Sequence, residues 1–217
     1  MILNIVSTIL FILVLGFSFL FFPDIIINFM NSFETWNSYF LFFPIIICYF
    51  ILHEIFHAFS YILHGAKWEK ITFGMELEKG VFYCLCKQHI SRKNILNSLM
   101  FPLFYLGIVT YIISIIFNLP LLLILSILNI SGAAGDIMYF IYMIKLKKYI
   151  KFSELDDGIS FAILADYDVS KVKHIGLDFV EKTNKIEHKD FKKIKVSKLS
   201  FAVIILCILF IVVGIFV

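Results

Sequence analysis

The stretch YFLFFPIIICYFILHEIFHAFSYIL, residues 39–63, decides the fold that this sequence can adopt. A helix needs about 20 mostly apolar residues to cross a bilayer, and this stretch is long enough to do so. It contains the motif His53-Glu54-Ile55-Phe56-His57. Ionisable side chains inside a membrane helix each cost about 2.5–3.5 kcal/mol on insertion scales, so they usually mark a functional site. The stretch therefore predicts a transmembrane helix with a polar site inside it.

The composition of the whole chain also favours a membrane protein. Of the 217 residues, 61% are hydrophobic and the mean hydropathy is +0.95, whereas soluble domains contain about 45–50% apolar residues. The net charge of +3 is too small to indicate nucleic-acid binding, so no nucleic-acid partner is expected. The four cysteines do not suggest a disulfide framework, and we expect reduced thiols.

Four further apolar stretches are long enough to span a membrane. The five predicted helices cover about residues 1–22, 39–63, 95–117, 121–144 and 199–217. A cleavable signal peptide is the alternative for the first, but that stretch lacks a basic start and a small-residue cleavage site. Residues 71–86 read as a β-hairpin with a Gly-containing turn. The predicted fold class is therefore an all-α membrane protein of about five transmembrane helices. A small β-hairpin lies between helices 2 and 3, and residues 1–217 form one domain.

The positions of the basic residues predict which side of the membrane each loop occupies. All 19 Lys and Arg residues lie in two segments, six between Lys67 and Lys93 and thirteen between Lys145 and Lys198. With five helices, these segments fall on the same side, and basic loops stay cytoplasmic. We therefore predict cytoplasmic loops at 65–94 and 145–198 in a multi-pass cell-membrane protein. Its N-terminus is then cytoplasmic and its C-terminus extracytoplasmic.

The His53-Glu54-x-x-His57 motif predicts a zinc site. Residues i and i+4 share one face of a helix, so the two imidazoles can bind one ion. Glu54 then reaches a metal-bound water as general base. The alternative is that these side chains only form hydrogen bonds between helices. His64, seven residues after His57, is expected to be an interfacial histidine, with stabilisation of an oxyanion as its alternative role.

A third ligand is needed, because catalytic zinc sites use three protein ligands and one open position. Apart from Glu54, the only acidic residue inside a predicted span is Asp136. His57 lies eight residues before Gly65 and Asp136 nine before Lys145, so the two are at similar depth from the same side. The small residues before Asp136 allow close helix approach. The alternative is a counter-ion to a lysine, but no lysine lies at that depth. The expected zinc ligands are His53, His57 and Asp136.

These motifs resemble the family described as putative zincin peptidases. The resemblance rests on the segments His53–Ala58 and Gly132–Ile137 and on the dipeptide Asp157-Gly158, and it extends over about residues 40–165. It implies peptide hydrolysis at or in a membrane.

More distantly, the sequence is similar to site-2 intramembrane proteases, which pair a helical HExxH with an aspartate from a later helix. It departs from their pattern, because Ile137 follows Asp136 where they have glycine, and no proline precedes the aspartate. Asn129, two helical turns before Asp136, is a candidate substrate-binding residue.

Taken together, the motifs predict a zinc-dependent, membrane-embedded endopeptidase in which Glu54 is the general base. Its expected partners are the lipid bilayer and a peptide or membrane-protein substrate. Two alternatives from other classes stay open: a non-catalytic membrane scaffold or regulator with a structural metal site, and a metal transporter. An open fourth coordination position separates an enzyme from a structural site.

Overall fold

A computed structural model describes residues 2–32, 36–76, 81–147, 150–154 and 161–172 of the chain. Its helices are α1 (Ile2–Phe21), α2 (Pro23–Asn31), α3 (Trp36–Leu63), α4 (Arg92–Pro102), α5 (Thr110–Ile116), α6 (Pro120–Gly132) and α7 (Ala134–Ile144). Its strands are β1 (Ile71–Glu76), β2 (Val81–Cys86), β3 (Ile90–Ser91), β4 (Lys151–Glu154) and β5 (Phe161–Leu164). A π-helical segment, Leu103–Val109, joins α4 to α5. The fold is thus mostly helical with small sheets.

Three helical segments in the described part of the chain are long and apolar enough to cross a membrane. They are Ile2–Phe21, Phe42–Leu63 and the run Arg92–Ile116, which contains α4, the π-helical segment and α5. The pair α6 and α7 passes the same test only when both helices are taken together. These segments match the first four predicted spans closely, and the fifth, residues 199–217, lies outside the described residues. The count of five spans therefore stays a prediction, as does the single domain over residues 1–217.

The helix predicted at residues 121–144 is not continuous. It breaks at Ala133, and α6 and α7 are bent by 43° relative to each other. Gly132, the last residue of α6, is among the weakest helix formers, at about 1 kcal/mol below alanine. The segment between the first two predicted spans, residues 23–38, contains α2. Pro23 begins this helix because its fixed φ suits the first helical position. The negative charge of Asp24, in the first turn, interacts favourably with the positive end of the helix dipole.

The predicted hairpin is confirmed, and a second sheet accompanies it. Strands β1 and β2 pair antiparallel with Gly74 opposite Tyr83, and their connection at 77–80 lies outside the described residues. Strands β3, β4 and β5 form a separate antiparallel sheet in that order. Strands β4 and β5 lie within residues 145–198, where the sequence predicts only a cytoplasmic loop. Their four-residue strands carry too short an alternation to stand out from a loop.

Two compact units make up the chain, and the first comprises residues 1–56, 101–135 and 197–217. Within its described residues, α1 and α2 pack on α6 around the buried side chains of Ile25, Leu123 and Ile127. The hydroxyl groups of Ser18 and Tyr111 lie 2.7 Å apart and join α1 to α5. A second apolar cluster gathers residues of α3, the π-helical segment and α6.

The second unit comprises residues 57–100 and 136–196. Its core combines the end of α3 with α4, α7 and the small sheets, and Tyr61 and Phe152 are among its fully buried side chains. The carboxylate of Glu154, on β4, accepts hydrogen bonds from the Tyr61 hydroxyl at 2.8 Å and from the backbone N–H of Cys86. These bonds connect α3 to both sheets of this unit.

Candidate metal centre

The two motif histidines lie one turn apart on α3. The helix continues without a break from Trp36 to Leu63, so His53 and His57 project from the same face. Only 9% of His53 and 6% of His57 is exposed. Two imidazoles this deeply buried must have polar partners, because an unsatisfied buried polar group costs about 1–3 kcal/mol.

The ring of His57 contacts a polar partner through each of its nitrogens. Its Nδ1 lies 2.8 Å from the backbone carbonyl oxygen of Ser98, on α4. A carbonyl oxygen can only accept, so Nδ1 carries a proton and donates it. Its Nε2 lies 3.4 Å from Oδ2 of Asp136. The hydrogen bond to Ser98 therefore orients the ring so that Nε2 faces the carboxylate.

Asp136 lies just after the break in the helix predicted at 121–144. It is the third residue of α7, within that helix's first turn. A carboxylate at this position is favoured by the positive end of the helix dipole, typically by about 0.3–1 kcal/mol. Its side chain is 18% exposed, so the group is largely shielded from solvent.

The ring of His53 contacts Asn129 of α6. Its Nδ1 lies 3.0 Å from Nδ2 of Asn129, and Asn129 is 1% exposed. The structure thus places Asn129 against a motif histidine. Its predicted role in binding substrate stays a prediction.

The three expected ligands form one group. One ligand atom from each of His53, His57 and Asp136 lies within 4.8 Å of the other two. A tetrahedral zinc ion, with ligands at about 2.0–2.2 Å, separates neighbouring ligand atoms by roughly 3.4 Å. The distance between His57 Nε2 and Asp136 Oδ2 is 3.4 Å. This pair has the spacing of two zinc ligands, and His53 offers a further ring nitrogen within 4.8 Å of both, so the group could hold a zinc ion. An ion held by these three residues would keep a fourth position for water or substrate.

Glu54 and His64 lie on the same helix as these ligands. Glu54 follows His53 directly and is half-buried. Its role as general base stays a prediction. His64 is not a member of the ligand group. Its Nδ1 lies 2.7 Å from the carbonyl oxygen of Ser60, and its Nε2 lies 3.2 Å from Nδ2 of Asn97. These contacts suit a structural role at the end of α3.

Sequence reasoning missed the residues of α4 that support His57. The backbone carbonyl oxygen of Ser98 orients the ring of His57. The side-chain hydroxyl of Ser98 lies 3.1 Å from the hydroxyl of Ser60 on α3. Backbone carbonyls have no residue-type signature, so the first contact leaves no trace in the sequence. Ser60 and Ser98, both fully buried, are a detectable signal, because polar side chains in apolar helices commonly form hydrogen bonds between them.

One comparison with known proteins found a family that matches the part of the chain containing this group. A family model described as "Putative zincin peptidase" matches residues 46–151, which include both motif histidines, Glu54 and Asp136. The match confirms the resemblance to that family. No curated protein and no solved structure matches the chain. None of the comparisons connects the chain with site-2 intramembrane proteases.

Proposed function

We propose that this chain, whose residues 46–151 match the family of putative zincin peptidases, is a zinc-dependent endopeptidase embedded in a membrane. It hydrolyses a peptide bond in or near the cytoplasmic half of the bilayer. The observation that carries the proposal is the convergence of His53, His57 and Asp136 within 4.8 Å. Glu54, the proposed general base, directly follows His53 in the sequence, as the glutamate does in HExxH peptidases.

Each residue of the centre has one chemical task. His53 and His57 hold the ion through ring nitrogens, and Asp136 adds a carboxylate oxygen and one negative charge. When bound, zinc lowers the pKa of its water towards 7 and polarises the scissile carbonyl. Glu54 takes a proton from the attacking water and delivers it to the nitrogen of the leaving amine. The carboxylate of Asp136 would offset part of the positive charge of a bound ion, which three neutral imidazoles would not do.

The membrane location is supported by the apolar helices and by the charges of the loops. The motif lies within Phe42–Leu63, a helix that can cross a bilayer. The chain's basic residues lie only between 67 and 93 and between 145 and 198, which retains both segments in the cytoplasm. The proposed protein is therefore a multi-pass cell-membrane protein with a cytoplasmic N-terminus. Its substrate is a peptide or a membrane protein whose backbone reaches the centre.

The experiment measures zinc content and peptide cleavage on the full chain purified in detergent. The variants are Glu54→Gln, Asp136→Ala and the control Asp166→Asn, which replaces an exposed aspartate. The probe for cleavage is a dye-labelled, unfolded model polypeptide. We expect about one zinc in the wild type, in Glu54→Gln and in the control. Asp136→Ala loses most of its zinc, and both Glu54→Gln and Asp136→Ala lose cleavage.

Other results would contradict the proposal in distinguishable ways. A wild type that takes up no zinc, even when incubated with it, means that the histidines only join helices. Zinc that stays bound while cleavage is absent in every protein supports a structural metal site in a scaffold or regulator. If the protein is reconstituted in vesicles and moves zinc across the membrane but cleaves no peptide, the result supports a metal transporter.

A further inference from the structure

The long apolar helix α3 ends in an exposed apolar residue that is followed closely by a charged turn. The apolar span Phe42–Leu63 stops at Leu63, which is 60% exposed. The backbone N–H of Ala66 donates to the carbonyl oxygen of Tyr61 at 3.0 Å, so the chain stays at the end of the helix. If α3 crosses a membrane, the next residues, 67–70, lie where the hydrocarbon gives way to the lipid headgroups.

Two lysines of this turn lie close together. Lys67 and Lys70 are both exposed, and the carbonyl oxygen of Lys67 accepts a hydrogen bond from the backbone N–H of Lys70 at 2.9 Å. A turn closed in this way keeps the two Cα atoms within about 7 Å of each other. Two lysine side chains at that spacing are long enough to bring both ammonium groups to one phosphate. The carboxylate of Glu69, exposed in the same turn, offsets one of the two charges.

The turn is fixed from both ends by residues that follow β2. Oε1 of Gln88 accepts a hydrogen bond from the backbone N–H of Lys67 at 3.1 Å, and its Nε2 donates to the carbonyl oxygen of Gly65 at 3.3 Å. The backbone N–H of Lys87 donates to the carbonyl oxygen of Lys70 at 2.9 Å. The backbone that carries the two lysines is therefore ordered by the fold itself, and a ligand does not have to order it.

The tryptophan between the two lysines indicates what kind of ligand this turn meets. The ring of Trp68 lies 6.3 Å, between centroids, from the ring of Phe73 on β1, and 48% of Trp68 is exposed. Tryptophan is enriched where membrane helices leave the hydrocarbon, because indole is apolar and carries one N–H donor. A free phosphate ion has no apolar part to contact an exposed indole, whereas a phospholipid has both an apolar part and a phosphate.

We propose that Lys67, Trp68 and Lys70 form a binding site for an acidic phospholipid. The two ammonium groups bind the anionic headgroup, and the indole packs against the lipid below its phosphate. Acidic lipids are concentrated in the cytoplasmic leaflet, which is the side predicted for the loop at 65–94. Because the turn follows α3 directly, a lipid bound there would fix the depth of the motif helix. The inference rests on the proposed membrane location, but it needs neither zinc nor a substrate.

The test measures which lipids contact Trp68. The chain contains two tryptophans, so Trp36→Phe leaves Trp68 as the only one. The full chain with this change is reconstituted into bilayers of phosphatidylcholine and phosphatidylglycerol, and one of the two lipids carries bromine atoms near the start of its acyl chains. Bromine quenches tryptophan fluorescence on contact. Exchanging which lipid is brominated therefore gives the preference of the site for the anionic headgroup.

We expect about a fivefold preference for phosphatidylglycerol at low salt. Each lysine near an anionic headgroup contributes about fivefold, which corresponds to about 1 kcal/mol, and Glu69 offsets one of the two lysines. Lys67→Gln and Lys70→Gln should each lower the preference to about one. Glu69→Gln should raise it to about 25-fold, the effect of two lysines, and misfolding cannot produce such a gain. The control Lys171→Gln removes the charge of a side chain that is 81% exposed outside the turn, and it should leave the preference unchanged.

Equal quenching by the two lipids, or a preference that none of the three changes in the turn alters, would overturn the inference. A preference that Lys171→Gln lowers as much as Lys67→Gln does would overturn it too, because the effect then belongs to the net charge of the protein. If neither lipid quenches Trp68, the proposed membrane location fails together with the site. A preference that follows the expected pattern in a protein without peptide cleavage supports the site and contradicts only the proposed peptidase.

Discussion

The carboxylate of Glu154 offers the clearest test of how the second unit is held together. It accepts hydrogen bonds from the hydroxyl of Tyr61, which is 1% exposed, and from the backbone N–H of Cys86, which is 0% exposed. Tyr61 lies one helical turn after His57, so the same bond fixes the helix that carries the ligand. We expect Glu154→Gln to destabilise the unit without adding or removing any apolar surface.

The size of the effect follows from the two bonds. A hydrogen bond to a charged group contributes about 1.5–3 kcal/mol. Glutamine is neutral, and it can still accept from the N–H of Cys86 while its NH₂ group donates to the hydroxyl oxygen of Tyr61. Each of the two bonds then falls to about 1 kcal/mol, the contribution of a neutral pair. We therefore expect a loss of about 2 kcal/mol. For a chain of this size, 1 kcal/mol corresponds to about 2–4 °C, so the unfolding temperature falls by about 4–8 °C.

The assay is thermal unfolding in detergent of the wild type, Glu154→Gln, Tyr61→Phe and the double variant. The control is Lys151→Gln, an exposed change on the same strand that should stay within about 0.5 kcal/mol. Since Tyr61 and Glu154 share a bond, the double variant should lose less than the sum of the single losses. Additive losses, or an unfolding temperature for Glu154→Gln equal to that of the wild type, would refute the reasoning.

Three further predictions concern packing, thiol chemistry and a buried hydroxyl. A Cβ on Gly107 would lie 2.9 Å from Cγ1 of Ile130, so Gly107→Ala should lower stability in a thermal scan by about 1–3 kcal/mol. Gly16→Ala, where nothing lies within 4 Å of an added Cβ, should be neutral or stabilising. Burial raises the pKa of the Cys86 thiol to about 11 from 9.0, so the stability that it contributes is present below pH 9 and is lost as the pH rises through 11. The loss of stability between pH 8 and 10.5, followed by chemical denaturation, should therefore be smaller in Cys86→Ala, and an unchanged loss would contradict this assignment. The hydroxyl of Tyr49 donates to a backbone carbonyl of the π-helical segment at 2.6 Å, so Tyr49→Phe should cost about 1 kcal/mol in the same thermal scan, and no change would show that the bond contributes nothing.

Much of the helical framework and the grouping of His53, His57 and Asp136 could be predicted from the sequence. The boundaries of the first three described spans agree within a few residues, because a run of apolar residues is a local property with one stable outcome in a bilayer. The break at Ala133 was not predicted. Hydropathy is the same on both sides of it, and a weak helix former such as Gly132 lowers the cost of a break without requiring one.

The sequence by itself determined that His53 and His57 share a helix face, since the spacing of four residues requires it. It also singled out Asp136, because an acidic residue in an apolar span is too costly to be accidental. Only the tertiary structure decided which atoms meet: the carbonyl oxygen of Ser98 at His57 and the amide of Asn129 at His53. Such contacts depend on how separate helices pack, and packing brings together residues that no local pattern relates. Local sequence patterns therefore predict which three side chains come together, whereas the groups that orient them become visible only in the folded chain.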